Sequence, residues 1–361
     1  MKILIIDDIE DSVKGIIDAC EENGWEHKLT GFDGAYSNIF QFDPDVIVLD
    51  WREDAENVDI GETILDNIWR NGFRPLIIFS ANAKLIDIGS KLQESNMVKI
   101  IPKGDEEPVV KTLQHLEKFV SSLKSYRSDM GKALIISLNS IENIKEQPDL
   151  EENVVSYVLS KRTSAYFDKE YIGSLPPAWV QYLCPPVNES LCVCDIIRVK
   201  TDETSWTSAG NPEEYMIVLT PSCDMVCDNG RSPKVSHVLC AHCYGKQAFH
   251  GMALAAEPTD KNIKRVVEEL NLGYNNSKVA LPGLMNEIPY LTVDLKKIEL
   301  IAISQIAINK NMISDDIRYV RVASVCSPFR EQIVWAHMQN SCRPGVPDRN
   351  MELWAKEMLK I

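Results

Sequence analysis

Short apolar runs alternate with helix-spaced apolar positions through the first third of the chain. Lys2 to Ile6 reads as a buried strand, and behind it Val13, Ile16, Ile17 and Cys20 recur at helical spacing. Asp45 to Asp50 (DVIVLD), Pro75 to Ser80 (PLIIFS) and Val98 to Pro102 (VKIIP) are further apolar strands, with a weaker one near His27 to Gly31 and a helix from about Gly61 to Trp69. Strands of this kind, separated by helical patterns, predict βα units closing into a parallel sheet. Five strands and five helices fit the length.

A long helical stretch starts near Pro108. Leu113, Leu116, Val120 and Leu123 follow 3-4-3 spacing, and the pattern resumes at Met130, Leu134, Leu138 and Ile141, with Arg127 in one seam position. Two readings are open. The last helix of the first domain could be prolonged through 108–145 into a linker that pairs with its twin in a homodimer. Alternatively, two ordinary helices break at Gly131, since glycine costs about 1 kcal/mol in a helix interior. After EQPDLEEN the pattern turns to strands at Asp195 to Lys200, Tyr215 to Thr220, Val235 to Cys240 and Leu291 to Ile303, with helices at about 258–271, 328–341 and the C-terminal tail. The expected organisation is an α/β domain over 1–125, a helical linker over 126–150, and a separate α+β, β-rich domain over 151–361.

With 361 residues the chain has room for two or three domains. Hydrophobic residues make up 45% and charged residues 25%, values of an ordinary soluble protein, and no apolar run approaches the ~20 residues of a membrane-spanning helix. The opening MKILIIDD puts acids directly behind a short apolar run, unlike a secretory signal, so a cytoplasmic location is expected. Net charge is -15, and residues 1–125 hold most of the imbalance, with 13 basic against 24 acidic side chains. Binding to a phosphate backbone needs clustered Lys and Arg, so a nucleic-acid partner is disfavoured. A local basic patch around Lys261, Lys264 and Arg265 is the exception.

The first domain carries its chemistry at strand ends. Asp7 and Asp8 close the first strand, Asp50 the third and Ser80 the fourth, while Lys103 follows the fifth. In an open parallel sheet the carboxyl ends of the strands share one rim, where ligands bind. This constellation resembles the receiver domain of two-component response regulators, a flavodoxin-like (βα)5 fold, over about residues 1–125. The resemblance implies that Asp7, Asp8, Asp50 and the backbone carbonyl of Arg52 hold Mg2+, that Asp50 is the phosphoacceptor, and that Ser80 and Lys103 contact the phosphoryl group. It also implies a cognate histidine kinase or phosphotransfer protein as partner. Three features depart from the family pattern. The loop from Asp50 to Gly61 is about three residues longer, a proline precedes Lys103 instead of following it, and Ile100 stands where an aromatic residue is common.

Nine of the ten cysteines fall between Cys184 and Cys342. In TPSCDMVCDNGRSPKVSHVLCAHC, Cys223 and Cys227 form one pair and Cys240 and Cys243 another, a spacing that resembles a four-thiolate zinc site, with His237 and His242 as substitutes. Cys240 and Cys243 would, however, face opposite ways within one strand. A second reading makes Cys223 a nucleophile beside Asp224, with His237, His242 or His250 as base. The helix in SPFREQIVWAHMQ brings Arg330 and Glu331 near Arg343 in sequence, and His337 lies along it. TPSCD and SPFREQ are similar to segments of uncharacterised receiver-linked effector domains in bacteria, including some in phage-defence loci. The function expected is a phosphorylation-controlled response regulator with a non-DNA-binding output domain. The alternative is a receiver-regulated enzyme, a Cys- or metal-dependent hydrolase.

Overall fold

A computed structural model describes residues 1–52, 60–70, 73–89, 92, 95, 97–139, 141, 144, 151–167, 175–200, 209–227, 231–249, 257–275, 277–342 and 349–359. The chain divides into two units, Met1–Glu170 and Tyr171–Ile361. The boundary expected near residue 150 thus lies inside the first unit, because a helix over 152–167 packs on the one before it.

In the first unit the strands β1 (Lys2–Ile6), β2 (Glu26–Thr30), β3 (Val46–Leu49), β4 (Leu76–Ser80) and β5 (Val98–Pro102) form a parallel sheet in the order β2-β1-β3-β4-β5. This is the flavodoxin-like arrangement. The central strands are apolar throughout because both of their faces are covered. Ile3 and Ile5 of β1 pack with Val13, Ile16, Val109 and Leu113, from the segments Glu10–Glu22 and Glu107–Glu117. Leu4 and Ile6 point the other way, towards Phe32, Ala35, Ile64 and Ile68. The covering helices are α1 (Lys14–Glu22), α2 (Phe32–Gln41), α3 (Gly61–Arg70) and α4 (Glu107–Glu117). Between β4 and β5 the described residues include a 3-10 turn, Ala83–Leu85, and a helical residue, Leu92. Ile86 and Ile88 pack on the same face of the sheet as Leu4 and Ile6.

The stretch after Pro108 follows neither expected reading in full. Helix α4 ends at Glu117, a turn occupies 118–119, and α5 (Val120–Asn139) then runs unbroken through Gly131. A third helix, α6 (Glu152–Phe167), pairs with α5, with Tyr126 and Phe167 rings 5.6 Å apart and Ala133 fully buried.

The second unit is built on an eight-stranded sheet in the order β10-β11-β9-β8-β7-β13-β12, with β6 on β13. Its members are β6 (Tyr182–Leu183), β7 (Asp195–Val199), β8 (Tyr215–Val218), β9 (His237–Tyr244), β10 (Lys278–Leu281), β11 (Leu291–Ala302), β12 (Ile306–Ala307) and β13 (Tyr319–Val325). All neighbours are antiparallel except β12 and β13. The helices Asp260–Asn271, Phe329–Ser341 and Met351–Met358 fall where their periodicity and the Pro328 start signal predict them. Ile333 and Ala336 of Phe329–Ser341 join the core on one face of the sheet.

A fully buried ion pair anchors this sheet. At a register shift in β13, Arg321 Nη1 lies 3.2 Å from Asp195 Oδ2, and the guanidinium also donates to the carbonyls of Ser190, Asn188 and Ile308. The second Asp195 oxygen accepts from Ser324 Oγ. Such a pair is tolerated in an apolar interior because every charged atom has a partner, and loss of one member typically costs about 3–5 kcal/mol.

Gly131 is exposed within α5, and a Cβ built there meets no atom within 4 Å. Gly131→Ala is therefore expected to stabilise the protein by up to about 1 kcal/mol. The gain would appear as a higher urea midpoint at unchanged slope. A lower midpoint would show that the helix is not continuous at this position.

Candidate phosphoryl-transfer site

The strand order reverses between β1 and β3, and the residues that follow these two strands meet at that crevice. Asp7 is buried directly after β1, with Oδ1 accepting from Ile9 N at 2.9 Å and Oδ2 from Ser12 Oγ at 3.0 Å. Asp50, buried after β3, accepts from Trp51 N at 2.7 Å. Asp8 is exposed beside them. Oxygen atoms of Asp7, Asp8 and Asp50 all lie within 4.8 Å of one another, and this is the cluster of candidate metal ligands found among the described residues. Three oxygen-bearing anions around one point form a donor set suited to a hard divalent cation.

Lys103 spans the cluster. Its Nζ lies 2.7 Å from Asp50 Oδ2 and 2.8 Å from Asp7 Oδ2, with Ser12 Oγ at 3.3 Å. Burial works against the ammonium charge, but hydrogen bonds and charge from Asp50 and Asp7 outweigh it and raise the lysine pKa. Lys103 is held there by its backbone, since its N–H donates to Ser80 O at 3.2 Å where β5 leaves the sheet. Ser80 is buried at the end of β4, and no hydrogen bond to its hydroxyl is found among the described residues.

Two contributors are not legible as site residues in the sequence. Ser12 touches both Asp7 and Lys103 although it belongs to the turn before α1. Trp51 closes the following loop, with Gly61 N donating to Trp51 O at 2.9 Å. A Cβ on Gly61 would come within 2.6 Å of the Trp51 ring, so only glycine lets α3 start this close. Arg52 stands at the same rim, and Ile100 packs as a partly buried core residue.

The cysteine constellation is not assembled. Cys240 and Cys243 both lie in β9, three residues apart, so Cys240 enters the core on one face of the sheet and Cys243 the core on the other. Cys223 and Cys227 are exposed at a short helical turn, Ser222–Met225, and beyond it. A strand's period of two cannot bring residues i and i+3 to one ion, so the four thiols do not form a zinc site. Burial, reinforced by Glu299, pushes the Cys240 thiol up to about 12, and burial raises that of Cys243 further. Cys223 Sγ lies 3.7 Å from Asp224 Oδ1, while His242 pairs with Glu299 and His237 with Ser236. No histidine thus reaches Cys223 among the described residues. His250 and Arg343 lie outside the described residues. Arg330 pairs with Glu331, and half-buried His337 has its pKa lowered by burial.

No family model matches the chain, and no curated protein matches it. Among solved structures, the receiver domain of the Erythrobacter litoralis PhyR response regulator is similar at 18% identity, over 33% of this chain and 90% of its own, with a TM-score of 0.28. A Francisella response regulator receiver domain is 26% identical over 32% of this chain and 97% of its own, with a TM-score of 0.26. The N-terminal domain of a response regulator/sensory box/GGDEF protein from Carboxydothermus hydrogenoformans is 17% identical over 34% and 98%, with a TM-score of 0.29. Each likeness spans about a third of this chain. The strand order and the rim chemistry carry the reading that follows.

Burial and exposure sort the thiols. Under native conditions at mild alkaline pH, exposed Cys223, Cys227 and Cys342 are expected to react first with Ellman's reagent, and Cys240 and Cys243 only after denaturation. Rapid native labelling of Cys240 or Cys243, located by peptide mapping, would contradict their placement in the two cores.

Proposed function

We propose that the first unit is a phosphorylation-controlled receiver and that Asp50 takes a phosphoryl group from a phosphohistidine on a histidine kinase or phosphotransfer protein. The observation that supports this reading is the convergence of Asp7, Asp8 and Asp50 within 4.8 Å, with Lys103 bridging two of them. In the transfer, an Asp50 carboxylate oxygen forms the new bond to phosphorus as the bond to the donor imidazole nitrogen breaks. The imidazole keeps that electron pair and takes up a proton. Lys103 pairs with the arriving oxygens, and the Ser80 hydroxyl donates a hydrogen bond to one of them. Asp7, Asp8, Asp50 and the Arg52 carbonyl would hold Mg2+, which when bound neutralises charge on the phosphoryl oxygens.

The phosphoryl group adds roughly two negative charges to a rim that has one lysine for three acids. Lys103 must then divide its contacts differently, and it is joined through β5 to α4 and α5. Helix α5 exposes Ile135, Ile136 and Leu138, which in this reading form the face of a homodimer through the 108–145 segment. The second unit serves as a non-DNA-binding output, consistent with its near balance of charge. No described helix is long and apolar enough to cross a membrane, and the reading places the protein in the cytoplasm.

Incubation with acetyl phosphate and magnesium, followed by intact-mass measurement, tests the assignment. Wild-type protein is expected to gain a single phosphoryl adduct that Asp50→Asn lacks. No adduct on the wild type, or an adduct that survives in Asp50→Asn, would contradict it.

A further inference from the structure

The underside of the parallel sheet, away from the Asp50 rim, holds a groove that the receiver chemistry does not use. Helix α5 crosses below the amino-terminal ends of β3 and β4, where Lys124 Nζ is 2.9 Å from buried Asp45 Oδ1 and Arg74 Nη2 is 2.8 Å from Asp43 Oδ1. Helices α5, α6 and the end of α3 line an open groove of about 1180 Å³. Small-molecule sites usually span ~300–1,000 Å³, so the space is ample for a ligand of nucleotide size.

Its lining joins three kinds of chemistry. Trp69 and Phe73 stack with ring centroids 5.9 Å apart and planes within 4°. Ser128, Ser156, Ser160 and Thr163 bring hydroxyls, with Gly131 between them in the groove. Arg70, Arg74, Lys124 and Arg127 outnumber Asp43 and the neighbouring Asp45 two to one, inside a region that is acidic as a whole.

Asp45 pairs with Lys124, and Asp43 pairs with Arg74 and, at longer range, with Arg127. Asp43 stays ionised because the Arg74 hydrogen bond, with Arg127 and Lys124 nearby, outweighs its partial burial. Arg127 Nη2 lies 3.7 Å from Asp43, beyond hydrogen-bond range, and no hydrogen bond to Arg127 is found among the described residues although its side chain is only 25% exposed. A half-buried guanidinium held by an ion pair at 3.7 Å, longer than a hydrogen bond, can turn to two oxygens of one phosphate.

We propose that this groove binds a mononucleotide, with its phosphates on Arg127 and the adjacent cations and its base against the Trp69–Phe73 wall. The site stands on residues separate from Asp50 and does not depend on phosphotransfer there.

Calorimetric titration of the full chain with ATP in EDTA, which removes divalent cations from the opposite rim, tests the proposal. Saturable binding is expected, weaker by about tenfold or more in Arg127→Gln and weakened by added salt. Inorganic phosphate alone should bind less tightly than ATP, and Trp69→Leu should narrow that gap. Trp69→Leu also provides the comparison if Arg127→Gln fails to fold. The proposal is overturned if ATP and GTP give no saturable heat, if both variants bind as the wild type does, if phosphate binds as tightly as ATP, or if an acidic peptide binds where nucleotides do not.

Discussion

Repulsion among Asp7, Asp8 and Asp50, held in check by Lys103, is the interaction on which the first unit turns. Carboxylate charges crowded within 4.8 Å repel one another, and burial of two of them adds a solvation cost. Strand geometry enforces the crowding. Asp7 and Asp50 each directly follow a strand whose neighbours are fixed by hydrogen-bonded register, so they cannot move apart without disturbing the sheet. One lysine offsets part of the charge, and the remainder leaves a set of acidic oxygens whose chemistry suits a divalent cation.

The same sheet explains what could be read from sequence. Strands covered on both faces are apolar at every position, which makes KILII, VIVL and LIIFS conspicuous, and a rim residue is then simply the polar residue where such a run stops. Ser12 lacks that marker because it reaches the site from the 3-10 turn Glu10–Val13, beyond the end of the β1 run. Trp51 and Gly61 were hidden for another reason, since their contact depends on how tightly α3 closes onto the sheet.

Elsewhere local pattern and tertiary packing diverge. A glycine at position 131 signals a helix break on propensity, yet α5 packs against α6, with Tyr126 beside Phe167 and Thr163 Oγ1 hydrogen-bonded to Ser137, and continues. The actual break, at 118–119, lies where the chain leaves the sheet flank and turns beneath it. Paired cysteines signal a metal site by spacing, but spacing does not report which face of a strand a side chain takes. Asp195 and Arg321 lie 126 residues apart, and nothing local in either position announces a buried pair. That pair ties β7 to β13 within the sheet of the second unit.

The most direct measure of the central claim is thermal unfolding of the full chain in EDTA and in magnesium. Ligand that binds only the folded state must raise the transition temperature. The account predicts a higher first transition in magnesium and a smaller rise in Asp8→Asn, whose side chain is exposed. A transition that magnesium leaves unchanged would contradict the gathering of these carboxylates into a cation site.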